Sequence, residues 1–211
     1  MSDAILRRQR EPVELVLFDV GGVLGTNGWD REQRDEAVRK FGLDRDDFQY
    51  RHEEMVGALE SGEVSLDEYL AITVFCAPRD FSVDEFKTFM FAQSVAWPDS
   101  IAVARDIAAL GTVRLATLNN ESEELNHYRI EQFGLREIFP TFFTSCWLGV
   151  RKPTRRIYER VLGMTQADPR RTLFVDDRLQ NLAPADSLGL RTLQFTTAAR
   201  LREDLKGMGL I

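Results

Sequence analysis

The sequence predicts a doubly wound parallel α/β sheet, interrupted just after its first strand by an all-helical insertion. Three observations carry this. From Trp97-Pro98 onward, short apolar and partly β-branched runs alternate with helical patterns, the mark of βα units in a parallel sheet. One more such run, Val13–Phe18, lies near the N-terminus. Between the two, from about Asp30 to Ala92, β runs vanish and helical periodicity takes over.

Taken in order, residues 1–12 are polar, end in Pro12 and read as an arm. Arg7, Arg8 and Arg10 form at most a small anion-binding patch there. Val13–Phe18 then runs into Asp19 and the pair Gly21-Gly22, as a buried parallel strand feeding a tight loop does. Glu32–Phe41 reads as a helix stopped by Gly42, and Asp44–Leu59 as a second ending near Gly62. Ser65-Leu-Asp-Glu68 and Ser82-Val-Asp-Glu85 are capping boxes, the latter opening an apolar helix over Phe86–Phe91. Beyond Pro98 the expected elements alternate. Helices fall at Ile101–Leu110, Glu123–Phe133, Arg155–Leu162, Leu182–Leu188 and Ala198–Met208. Strands fall at Val113–Leu118, Thr141–Ser145, Thr172–Val175 and Arg191–Phe195. The expected organisation is an α/β core from residues 13–26 and 96–211, with a helical cap over 27–95.

Composition narrows the function classes. The chain has 211 residues, 44% hydrophobic and 29% charged, which fits one domain or one domain with an insertion. Such a length supports a core without disulfides or structural metal. The net charge of −7 argues against a nucleic-acid partner. No apolar run of about 18 residues predicts a membrane span. MSDAILRRQREPVE lacks the apolar stretch of a secretory signal, so a cytoplasmic location is expected. Cys76 and Cys146 lack CxxC spacing and read as buried, reduced thiols. His52 and His127 are single and far apart, so zinc is not expected.

In open α/β sheets, ligands bind at the carboxyl ends of the strands. Four such ends carry polar residues: Asp19; Asn119-Asn120; Lys152 before Pro153; and Asp176-Asp177 with Asn181. Each alone has a plain explanation as a turn former, an N-cap or a solvated lysine. Together they place three carboxylates at one edge, where they repel one another unless a cation joins them. Oxygen ligands of this kind point to a hard ion such as Mg²⁺.

Asp19 in Phe18–Leu24, the segment Gly149–Tyr158 and the segment Thr172–Asn181 resemble the motifs of the haloacid dehalogenase superfamily, most closely its phosphatase branch with a small helical cap. The resemblance covers essentially Val13 to the C-terminus and implies a Rossmann-like core. It further implies an Mg²⁺-dependent phosphohydrolase of small phosphorylated metabolites. Asp19 is then the nucleophile that forms an aspartyl-phosphate. Asn119, Asn120 and the Gly22 backbone contact phosphoryl oxygens, and Lys152 neutralises charge. Asp19, the Gly21 carbonyl and Asp177 hold the metal, Asp176 acts in its outer shell, and Asn181 supports the loop.

Two positions depart from the pattern. The usual second Asp of the first motif, the general acid and base, is Gly21 here. Losing it removes a contribution of about 10²–10⁴ in rate. The chain is therefore expected to favour good leaving groups, such as acyl, anomeric sugar and aryl phosphates, or to borrow an acid from Asp30, His52 or Glu121. The second departure is Asn119, where Ser or Thr is usual. The alternatives are a metal-independent 2-haloacid dehalogenase, which has no need of Asp176-Asp177, a phosphotransferase or mutase, and a non-catalytic binder of phosphometabolites. The aromatics of the insertion, among them Phe41, Phe48, Tyr50, Tyr69 and Phe86, read as its core. Arg51 and His52 read as solvated, and Ser145 and Cys146 as core or loop.

Overall fold

A computed structural model describes residues 11–211. The proposed patch of Arg7, Arg8 and Arg10 lies outside the described residues. The central strand β1 (Leu15–Phe18) is buried along its whole length. It pairs in parallel with β2 (Arg114–Asn119) on one side and β4 (Thr172–Asp176) on the other, Leu15 lying opposite both Arg114 and Thr172. β3 (Thr141–Thr144) and β5 (Arg191–Gln194) complete a parallel sheet of order β3-β2-β1-β4-β5.

Alternation along β1 sorts the core. Val16 and Phe18 face one layer, built on α5 (Pro98–Leu110) and α10 (Ala198–Gly207). Leu15 and Leu17 face the other, with α8 (Arg155–Thr165) and α9 (Leu179–Ser187). Two-sided burial explains why these strands read as continuous apolar runs. The order reverses at β1, so the crevice of the sheet opens at the end of that strand, beside Asp19.

Between β1 and α5 every regular element is helical: α1 (Arg31–Phe41), α2 (Arg45–Glu60), α3 (Leu66–Thr73) and α4 (Val83–Ala92). Ser65 and Ser82 close complete capping boxes with Glu68 and Glu85. Phe48, Tyr69 and Phe86 anchor a separate apolar cluster in this part of the chain, while Tyr50 is exposed. The segments entering and leaving it run side by side, since Thr26 N–H donates to the Val95 carbonyl and Trp97 N–H to that of Leu24.

Several expectations are corrected. α5 begins at Pro98, where a proline suits the first helical position. α9 begins three residues earlier than read and carries Pro184 inside it. α6 (Glu123–Gln132) is followed by a 3-10 turn, Leu135–Glu137, and Ser145 opens a single turn of helix, α7 (Ser145–Leu148). Cys76 is exposed and Cys146 half-buried, and both are free thiols. Among the described residues no helix is long and apolar enough to cross a membrane.

Candidate active site

The ends of β1 and β4 bring their polar residues into one buried cluster. Lys152 Nζ, with its side chain 1% exposed, lies 2.9 Å from Asp19 Oδ2 and 2.7 Å from Asp176 Oδ2. Asp176 is fully engaged. Its Oδ1 accepts from Arg178 N–H at 2.8 Å and from Asn181 Nδ2 at 3.0 Å, and Asn181 also reaches Oδ2 at 3.1 Å. Burial drives the Asp176 carboxyl up, but Lys152 and these hydrogen bonds outweigh it and the net shift is downward. Asp19 moves the other way, raised by burial and by the neighbouring carboxylates against the pull of Lys152. Asp177 is also raised, by burial and by Asp176.

This donor set fits a hard cation. Asp19, Asp176 and Asp177 each offer an oxygen, all within 4.8 Å of one another. Among the described residues Asp177 Oδ1 is buried with no hydrogen-bond partner, a state that costs free energy unless something binds it. The Asp177 carboxylate rests against Gly22, where an added Cβ would stand 2.5 Å from Oδ2. Gly22 also has φ 74°, and its N–H donates to the Gly25 carbonyl at 2.8 Å. The backbone N–H of Gly22 is thus committed to the turn.

The two asparagines hold the frame together. The Asn120 amide clamps Lys152, donating to its carbonyl at 2.9 Å and accepting from its N–H at 2.8 Å. Asn119 is buried away from the cavity. Its Nδ2 donates to Asn126 on α6 at 3.1 Å, and its Oδ1 accepts from Thr144 at 3.3 Å. A carboxamide is longer than a hydroxyl and reaches these interior partners, so the expected donation from Asn119 to substrate gives way to a packing role.

A cavity of about 330 Å³ opens over Asp19, Gly21, Asn120 and Lys152 and is roofed by Trp29, Arg34, His52 and Glu60 of the helical insertion. Its wall is strongly charged. Arg151 pairs with Glu60 at 2.8 Å, Arg178 with Asp30 at 2.8 Å, and Arg129 with Glu121 at 3.2 Å. His52 is buried, not solvated, and its Nδ1 lies 2.8 Å from the Tyr69 hydroxyl. Burial and the charge of Arg34 push its pKa down to about 3. Glu121 behaves oppositely: burial raises its carboxyl to about 7, against the pull of Arg129. Arg129 Nη1 lies 3.4 Å from where a Gly21 side chain would begin. The guanidinium therefore joins Glu121 to the space left by the missing acid. Ser145, buried beneath the site, donates to the Glu60 carbonyl at 2.5 Å and accepts from Glu121 N–H at 3.0 Å.

Residues 13–189 match the haloacid dehalogenase-like hydrolases. The chain belongs to this family. Proteins similar to it include flavin mononucleotide hydrolase 1 of Arabidopsis thaliana, 25% identical over 99% of this chain and 82% of that protein. D-ribitol-5-phosphate phosphatase of Bacteroides thetaiotaomicron is 25% identical over 92% and 97%. Rat bifunctional epoxide hydrolase 2 is 31% identical over 60% of this chain, a match spanning only 24% of that protein. A Bacteroides thetaiotaomicron enzyme of the family, solved with magnesium and inorganic phosphate, shares the fold with a TM-score of 0.72 at 20% identity, over 87% of this chain and 94% of its own. The L-2-haloacid dehalogenase of Xanthobacter autotrophicus aligns with a TM-score of 0.61 at 18% identity, over 92% and 83%. The cavity-lining Arg34, Arg129, Arg151 and Arg178 of this hydrolase escape a reading by motif. Arg129 and Arg34 lie in helices where an arginine ordinarily reads as solvated, and only their burial sets them apart.

Proposed function

We propose that this chain is an Mg²⁺-dependent phosphohydrolase of small phosphorylated metabolites. The observation that carries this is the buried cluster of Lys152 with Asp19, Asp176 and Asp177, in which one Asp177 oxygen has no partner among the described residues. Two relatives named as a phosphatase and a mononucleotide hydrolase, which match most of the chain, support it. Asp19, Asp177 and the Gly21 carbonyl would hold the ion, with Asp176 behind them. Bound there, Mg²⁺ supplies positive charge to the transferring phosphoryl group.

The chain's own residues do the rest. The Asp19 carboxylate attacks phosphorus, the bond to the leaving oxygen breaks, and an aspartyl-phosphate forms. Lys152 pulls that carboxyl toward its anionic form against burial and offsets charge developing on the phosphoryl oxygens. Water then attacks phosphorus, releasing phosphate and restoring Asp19. The leaving oxygen needs a proton that Gly21 cannot give. His52 with a pKa of about 3 carries none to give at neutral pH. Asp30 is an N-cap already paired to Arg178. Glu121, with a pKa of about 7 and bridged by Arg129 to the Gly21 space, is the group we assign to proton transfer. Its carboxyl then protonates the leaving oxygen and its carboxylate activates the water.

Phosphate release from alkyl, sugar, acyl and aryl phosphates, with and without Mg²⁺, tests the reading. Release should need Mg²⁺ and vanish in Asp19→Asn. Glu121→Gln should slow alkyl phosphates by about 10²-fold or more and acyl phosphates far less. Equal slowing would remove Glu121 from proton transfer. Metal-independent halide release from 2-chloropropionate would replace the proposal with a dehalogenase, and phosphate binding without turnover would replace it with a binding protein.

A further inference from the structure

Among the described residues, five cations line the cavity. Four of them, Lys152, Arg129, Arg151 and Arg178, each have a carboxylate partner. Arg34, on the first turn of α1, has none within ion-pair distance among the described residues. It is nevertheless only 7% exposed. Its Nε donates to Gln49 Oε1 at 3.1 Å, and Gln49 is steadied in turn by Glu53 at 3.1 Å. Its Nη1 donates to the Trp29 carbonyl at 2.8 Å. Its Nη2 has no protein partner among the described residues. Asp30, which also lines the cavity, is taken by Arg178 and by its own helix N-terminus, and the adjacent Asp35 is paired with Arg45.

A guanidinium withdrawn from water is costly unless an anion meets it. Here two neutral acceptors fix its plane and leave one edge of the fork open on a cavity lined by Asp19 and Lys152. His52 beside it stays neutral at physiological pH, and Glu60 of the same roof is paired with Arg151. We infer that Arg34 is a specificity residue that binds a second anionic group, a carboxylate or a second phosphate, on the same small molecule whose phosphoryl group meets Asp19. A planar fork suits the paired oxygens of either group. This deepens the phosphohydrolase reading and rests on it for the identity of the first group.

The test compares kcat/KM for 3-phosphoglycerate and glycerol 3-phosphate, which differ in the carboxylate. The wild type should prefer 3-phosphoglycerate by about 10- to 100-fold, the range of a charge-assisted hydrogen bond. Arg34→Gln should bring that ratio near one, chiefly through KM, and Arg34→Lys should keep part of it. The ratio is insensitive to the amount of folded enzyme, so partial misfolding of a variant does not mimic the effect. A wild-type ratio near one, or one unmoved by Arg34→Gln, overturns the inference. Calorimetric binding of phosphonoacetate against methylphosphonate gives a readout without turnover. If no phosphate is released from any substrate, the phosphohydrolase reading fails. The phosphonate preference, lost or kept in Arg34→Gln, still decides the role of Arg34.

Discussion

Glu121→Gln makes a sharp prediction about stability as well as rate. The Glu121 carboxyl is buried between Arg129 of α6 and Glu60 at the end of α2, and its pKa stands at about 7 against an ordinary 4.5. The folded state therefore holds this proton more tightly than the unfolded chain. Its stabilising contribution is fully present below pH 4.5 and is lost as pH rises through 7. The gap between the two values corresponds to about 3 kcal/mol lost across that window. Glutamine cannot titrate, so the variant should lack this component. Below pH 7 the wild type already offers Arg129 a neutral carboxyl, and exchanging that for a carboxamide carries a cost that does not vary with pH. Urea unfolding at half-unit steps from pH 5 to 8, in chelator, separates the two. Relative to wild type, the variant should gain about 2–3 kcal/mol in stability between the ends of the series. Parallel curves, within about 0.5 kcal/mol, would mean that Glu121 ionises normally, and its role in proton transfer would fall with that result.

Lys152→Met keeps the length of the side chain but strands Asp19 and Asp176, and should cost about 3–5 kcal/mol in urea unfolding without metal. Gly22→Ala adds a Cβ 2.5 Å from Asp177 Oδ2 at a φ of 74°. It should destabilise by about 1–3 kcal/mol and weaken divalent-ion binding by calorimetry. Ser65→Ala removes one half of a capping box far from the chemistry. It should lower thermal stability by about 1 kcal/mol and leave kcat/KM within twofold, about the scatter of a surface change.

Much of this protein was legible in its sequence because two-sided burial and helix capping are local signals. β1 reads as a strand because Leu15 to Phe18 are all apolar, and α3 and α4 announce themselves through Ser65 and Ser82. The doubly wound parallel sheet follows from alternation alone; Asp19, Asp176 and Asp177 sit at strand ends, where ligands bind in such sheets, while Lys152 reaches them from the loop after α7. Tertiary structure alone decided where the asparagine amides point, because Asn126 and Thr144 approach Asn119 from other elements. It also decided that His52 is buried and that Glu121 titrates near neutrality. A pKa is set by the dielectric and the charges that folding assembles around a group, and Arg129 and Glu60 reach Glu121 from parts of the chain that no local pattern connects. Arg34 shows the same division. The sequence places it on the first turn of a helix, and only packing takes away most of its water while giving it no carboxylate partner among the described residues.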